Sequence, residues 1–186
     1  MGTSVVMLSE YYWNVASELG LGFDCPTRKS GVQHLQKMPI AKGGSLEVLA
    51  TDVLDSSDVN ALLDGCTDLI HTAATVMIRS SNPEEKILSP SVDGTMNVVS
   101  ALELHPSIRN IIHTSSTAAI RPMKWENGTT LSSEVWAEDA TIENNPYGLA
   151  KVLAEREIRK WHTDVGSNQG RTLKTIHPCM VFGPPL

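Results

Sequence analysis

No apolar run in the chain approaches the roughly 20 residues needed to cross a bilayer as a helix. Blocks of lysine and arginine are missing too, and the formal net charge is −6. Nucleic-acid and membrane-surface proteins need clustered positive charge, so neither partner is expected. Cysteine is scarce. Cys25, Cys66 and Cys179 are odd in number and far from any zinc spacing, which disfavours a disulfide framework or a metal site. The opening MGTSVVMLSEYYW has no basic stretch and no cleavage site, and Val6 spoils a myristoylation match. Asn127-Gly128-Thr129 is a glycosylation sequon, read as a turn when no export signal accompanies it. Internal repeats and low-complexity linkers are absent as well. These exclusions point to a cytoplasmic globular protein whose partner is a small molecule, without metal; a homodimer stays open.

What is present is an ordinary core-forming composition. The 186 residues are 41% hydrophobic and 19% charged, enough for one domain. Short apolar runs at Ser4–Leu8, Leu46–Ala50, Asp68–Thr72, Asn110–Thr114 and Leu173–His177 read as strands. Several are β-branched without polar alternation, as in strands buried on both faces. Helical patterns lie between them. Ser56-Ser57-Asp58 caps a short helix through Val59, Leu62 and Leu63 that closes near Gly65. Pro83 to Leu104 carries another, with Ile87, Val92, Met96, Val99 and Leu102 near one face and Pro106 ending it. Gly94 inside it predicts close packing. Strands alternating with helices predict an α/β fold with a doubly wound parallel sheet.

One stretch, NNPYGLAKVLAERE at residues 144–157, combines helix signals with chemistry. Asn144 or Asn145 suits the N-cap, and Pro146 is tolerated in the first turn. Leu149, Val152, Leu153, Ile158 and Trp161 recur at helical spacing, while Glu155, Arg156, Glu157, Arg159 and Lys160 fill the other faces. Tyr147 and Lys151 stand four apart and share a face. With three tyrosines and eight lysines in the chain, such a pair arises by chance about once in eight sequences, so it needs support elsewhere. Support comes from the strand ends, where ligands bind in such sheets. They read Thr51-Asp52-Val53, His71-Thr72-Ala73-Ala74, Thr114-Ser115-Ser116-Thr117 and His177-Pro178-Cys179, all small or polar clusters. His71 and His113 lie in apolar strands and read as packed, hydrogen-bonded histidines. Trp125, Trp136 and Trp161 read as packing residues.

Together, LEVLATDVLD, GCTDLIHTAA, PSVDGTMNVVSAL, IRNIIHTSSTAAI, NPYGLAKVLAERE and TIHPCMVFGPP resemble the extended short-chain dehydrogenase/reductase family. Within it they look most like the dihydroflavonol-reductase, cinnamoyl-CoA-reductase and 3β-hydroxysteroid-dehydrogenase branch. The resemblance covers about Gly43 to Pro185 and implies a Rossmann-like fold and an NAD(P)-dependent oxidoreductase acting on a CH–OH/C=O group. Tyr147 would be the general acid/base. A free phenol ionises near pH 10, and a neighbouring ammonium favours the phenolate. Lys151 would supply that charge and hold the nicotinamide ribose, and Ser116 would hydrogen-bond the substrate oxygen. Asp52 and the Val53 backbone would meet the adenine; Ala73, Ala74 and Thr114 would let the cofactor cross the strand ends, and Pro178 would line the nicotinamide. Arg28, beside Lys29, would meet a 2′-phosphate, which favours NADP over NAD. A nucleotide-sugar epimerase or dehydratase of the same superfamily, or a catalytically inactive fragment, is the alternative.

Two departures stand out. The family opens with a glycine-rich turn, yet no glycine lies between Leu8 and Gly20. Tyr11, Tyr12 and Trp13 would fill space that a pyrophosphate needs, so residues 1–42 are atypical and weak cofactor binding is expected. The chain ends at Pro184-Pro185-Leu186, where the family continues into a substrate domain. Residues 1–186 therefore read as a truncated NAD(P)-binding domain.

Overall fold

The computed structural model describes the backbone of Val5–Leu8 and residues 42, 44–47, 49 and 51–180. The chain divides into two compact units. One comprises Met1–Glu10 and Thr51–Val181; the other comprises Tyr11–Ala50 and Phe182–Leu186. In the second unit, Leu46, Glu47 and Leu49 have no regular structure, which corrects the strand expected at Leu46–Ala50. An apolar run becomes a strand only where neighbouring strands pack against it, and Leu46 and Leu49 are exposed.

The first unit is built on a parallel sheet. Its strands are β1 (Val5–Leu8), β2 (Asp68–His71), β3 (Asn110–Thr114) and β4 (Thr172–Ile176), in spatial order β1-β2-β3-β4 among the described residues. The α/β class and the parallel sheet are thus as the alternation of apolar runs and helical segments predicts. Register pairs His71 with His113 and Thr114 with Ile176, so the carboxyl ends of β2, β3 and β4 share one edge. Along β2 and β3 burial alternates: Leu69, His71, Ile111 and His113 are buried, while Ile70 and Ile112 are half-buried. Among the described residues, the helices lie against the face that carries Leu69, His71, Ile111 and His113.

Helices cover that face. Helix α1 (Ser56–Leu63) is capped by Asp55, whose carboxylate accepts from the Ser57 and Asp58 amides, one residue earlier than the sequence suggests. Gly65 follows with φ +70°, the left-handed conformation that glycine adopts without strain. The next helical segment opens with a π-helical turn, Glu84–Leu88, and continues as α2 (Ser89–Leu104). Pro90 falls in the first turn of α2, where a missing amide costs no bond. The buried face of this segment is Ile87, Ser91, Gly94, Thr95, Val98, Ala101 and Leu102, whereas Met96 is 48% exposed. Small residues define the face because the helix approaches its neighbours closely. A Cβ on Gly94 would sit 3.0 Å from Val53 Cγ2, which is the packing its position predicts. One-turn helix α3 (Thr117–Ile120) and helix α4 (Pro146–Trp161) complete the layer.

Two apolar clusters result. The larger joins Leu63, Leu69, Val98, Leu102, Ile111, Ile158 and Trp161 between the sheet, α1, α2 and α4. The smaller joins Ala119, Ile120, Ala137, Ala140 and Val152 beneath α3. Leu102→Ala is expected to lower unfolding free energy by about 2–5 kcal/mol, and Met96→Ala by under about 0.5 kcal/mol. Urea titration of both variants checks the assignment; equal losses would misplace the face of α2.

Candidate active site

The carboxyl edge of β3 is the centre of the site. Beyond Thr114 the chain continues extended through Ser115 and Ser116 and then turns into α3. Ser116 is the N-cap of that helix, with Oγ accepting from the Ala118 amide at 3.1 Å. The ladder with β4 persists past the strand ends. Ser115 N–H donates to the Ile176 carbonyl at 2.9 Å and Thr117 N–H to the Pro178 carbonyl at 3.0 Å. The segment carrying Ser116 is therefore held on both sides of that serine.

Helix α4 brings Tyr147 and Lys151 to the same edge. Asn145 is its N-cap, accepting from Gly148 N–H at 3.0 Å, and Pro146 fills the first turn. Gly148 is needed there, because a Cβ would lie 2.2 Å from Asn145 Nδ2 and 2.7 Å from Cγ. Lys151 is only 4% exposed. Its ammonium donates to the Thr114 carbonyl at 3.4 Å and lies 5.8 Å from the centre of the Tyr147 ring. That separation is within the range of cation–π attraction. The helix thus places Lys151 in the cleft beside Tyr147 and at the end of the strand that leads to Ser116.

The remaining sequence-predicted positions are distributed as follows. Asp52 forms an Asx turn, Oδ1 accepting from the Leu54 amide at 2.9 Å, while its own amide donates to Asp58 Oδ2 at 3.1 Å. Val53 is buried against Gly94, and its carbonyl accepts from Asn97 Nδ2 at 2.9 Å. Ala73 is buried and Ala74 half-buried just past β2. Pro178 is half-buried past β4. Arg28, Lys29 and the glycine-free segment at 9–20 lie outside the described residues. Buried Thr114 Oγ1 and Ser115 Oγ have no hydrogen-bond partner among the described residues. Unpartnered hydroxyls beside small residues at a strand end suit a polar ligand that crosses it closely.

The sequence reading missed a buried polar stripe beneath the site. Lys151, Glu155 and Arg159 follow one another at i, i+4 and i+8 on α4. Glu155, expected on an outer face, is completely buried. It bonds Arg159 at 2.6 Å and His177 Nε2 at 2.9 Å. A charged residue one turn from an inward-facing Lys151 was the available signal. His71 and His113 stand side by side, ring centres 5.3 Å apart. Both are packed as expected, and His71 Nε2 pairs with Thr95 Oγ1 at 3.2 Å, whereas the two His113 ring nitrogens have no hydrogen-bond partner among the described residues. Burial, then the Lys151 charge, holds His71 down to about 4. His113 lies well below its ordinary value, chiefly through burial and then through His71, Lys151, His177 and Arg159. The tryptophans behave as packing residues in part. Trp161 is buried with Arg171 over its ring, Trp136 is flanked by Arg156 and Arg159, and Trp125 is half-exposed.

A parallel Rossmann-like sheet with a Tyr-x-x-x-Lys helix packed at its carboxyl edge defines the extended short-chain dehydrogenase/reductase class. Within that class the chain belongs to the 3-beta hydroxysteroid dehydrogenase/isomerase family, which it matches over residues 23–185. It is 29% identical over 164 residues to tetraketide alpha-pyrone reductase 1 of Arabidopsis thaliana, covering 87% of this chain and 49% of that protein. It is 28% identical over 165 residues to a cinnamoyl-CoA reductase of Medicago truncatula, again covering 87% and 49%. Among solved structures it resembles the yeast methylglyoxal/isovaleraldehyde reductase complexed with NADPH. There the TM-score is 0.64 at 25% identity, over 75% of this chain and 44% of that one. The chain spans about half the length of the relatives it matches. Among the described residues, no helix is long and apolar enough to cross a membrane.

Neutral His71 makes the fold acid-sensitive. Above about pH 6.5 the ring is neutral in both folded and unfolded chains. Between 6.5 and about 4 the unfolded chain takes up a proton that the folded protein refuses, so stability falls as pH falls. A displacement of this size is worth about 3 kcal/mol. Urea midpoints at pH 7.5 and 4.5 should separate less in His71→Gln than in the unmodified chain; equal separations would refute the assignment. Gly148→Ala should cost about 1 kcal/mol or more, measured by thermal melting, through loss of the Asn145 cap.

Proposed function

We propose that this chain is the cofactor-binding part of an NADPH-dependent reductase acting on the carbonyl of a small organic substrate. The observation that carries the reading is the buried Lys151 ammonium set between the Thr114 carbonyl and the Tyr147 ring. Conjugated or aryl carbonyl compounds are the favoured substrates, since named relatives include a tetraketide alpha-pyrone reductase and a cinnamoyl-CoA reductase. A cytoplasmic location and a homodimer belong to the same reading.

In this proposal bound NADPH supplies the hydride and leaves as NADP⁺. The chain's own residues manage the oxygen that becomes the alcohol. Tyr147 donates the phenolic proton to it, and the adjacent ammonium stabilises the phenolate that remains. Ser116 Oγ accepts from Ala118 and so keeps its own proton to offer the substrate oxygen. Lys151 would also meet the ribose hydroxyls. Thr114, Ala73, Ala74 and Pro178 would line the path of the dinucleotide, and Asp52 and Val53 would meet the adenine; Arg28, the residue expected to meet a 2′-phosphate, lies outside the described residues. No covalent intermediate is needed.

Tyr147→Phe keeps the ring and removes the proton. It is expected to lower turnover by about 10²–10⁴-fold while leaving the NADPH dissociation constant within about threefold. Steady-state reduction of an aryl aldehyde or ketone panel, with cofactor titration by fluorescence, provides the check. Full activity in that variant would remove Tyr147 from the chemistry.

A further inference from the structure

The buried stripe beneath the site has a part that the proposed reaction does not use. His177 lies between Ile176 and Pro178. The carbonyls of those two neighbours accept from Ser115 and Thr117, the residues on either side of Ser116. Continued past the strand ends, the β3–β4 register sets His177 opposite Ser115, the residue just before Ser116. Its side chain is 11% exposed, and Nε2 lies 3.0 Å and 2.9 Å from the two carboxylate oxygens of Glu155. A carboxylate only accepts, so Nε2 carries the proton and donates. Glu155 sits one helical turn beyond Lys151 and two beyond Tyr147 on α4, with the Arg159 guanidinium 2.6 Å from its Oε1. One side chain thus joins the strand-end segment that fixes Ser116 to the helix that carries Tyr147 and Lys151.

We infer that His177 is a positioning residue whose bond to Glu155 sets the distance and register between Ser116 and the Tyr147–Lys151 pair. The inference rests on the reductase reading for its catalytic consequence, but the bond itself does not. Hydride and proton transfer tolerate little misalignment, so a small slip between strand end and helix falls on the chemical step rather than on cofactor binding. Arg159 keeps Glu155 compensated when His177 is replaced, which confines the damage to the tie.

Three variants of the full chain test this. His177→Leu removes the donor, His177→Gln keeps a donor of similar reach, and His177→Asn keeps polarity but is too short. In His177→Leu, amide exchange at Ser115 and Thr117 should quicken at least about tenfold while the Ile158 amide in α4 holds. Single-turnover hydride transfer from NADPH should fall about 10–100-fold, with the NADPH dissociation constant within about threefold. His177→Gln should restore both readouts, and His177→Asn, the second test should the leucine variant not fold, should restore neither. Unchanged exchange at Ser115 and Thr117 in His177→Leu or His177→Asn would overturn the inference, as would failure of glutamine to rescue. If the unmodified chain transfers no hydride, the reductase reading falls and the exchange measurements alone decide the tie.

Discussion

The burial of the Lys151 ammonium is the constraint on which the site depends. A charge taken out of water costs several kcal/mol unless polar groups replace its hydration. The Thr114 carbonyl and the face of Tyr147 are among those groups. The carbonyl is available only if α4 lies against the carboxyl end of β3, and much of the local structure secures that arrangement. Asn145 ends the extended approach and starts the helix beside the strand end, and Gly148 leaves the cap room. The ladder from β3 to β4 then places Ser116 on the same edge.

The same charge shapes its surroundings. His71 and His113 are buried next to one another and near Lys151, and their neutrality follows from desolvation reinforced by that ammonium. Farther along α4, Glu155 is buried with the Arg159 guanidinium as its charge partner and His177 Nε2 as a hydrogen-bond donor. Ion pairs of this kind add little net stability, because desolvation offsets their attraction, but they favour one arrangement over others. Here that arrangement holds three segments in fixed relation at the carboxyl edge.

Much of this was legible in the sequence. Asn110–Thr114 matches β3, Leu173–His177 matches β4 to within one residue, and Pro146–Trp161 starts at the proline that marks it. These elements carry strong local signals, namely β-branched runs bounded by polar clusters and a capped amphipathic helix. The Tyr147–Lys151 proximity follows from helical geometry alone. What was not legible depends on tertiary contact. Leu46 and Leu49 look like strand residues, yet they have no regular structure and are exposed. Met96 fits an apolar stripe, yet Ser91, Gly94 and Thr95 form the buried face because close approach rewards small side chains. Glu155 reads as solvated, since its i,i+4 partner Arg159 fits an outer face and His177 meets it only when the segment after β4 packs against α4.

The central proposal is that this carboxyl edge receives NADPH although no glycine lies between Leu8 and Gly20. Titration of the unmodified chain with NADPH, followed by nicotinamide fluorescence, tests it most directly. The account predicts a saturable change with a dissociation constant between about 1 μM and 1 mM, weakened in Lys151→Met. No saturation at millimolar NADPH, or equal binding by Lys151→Met, would contradict it.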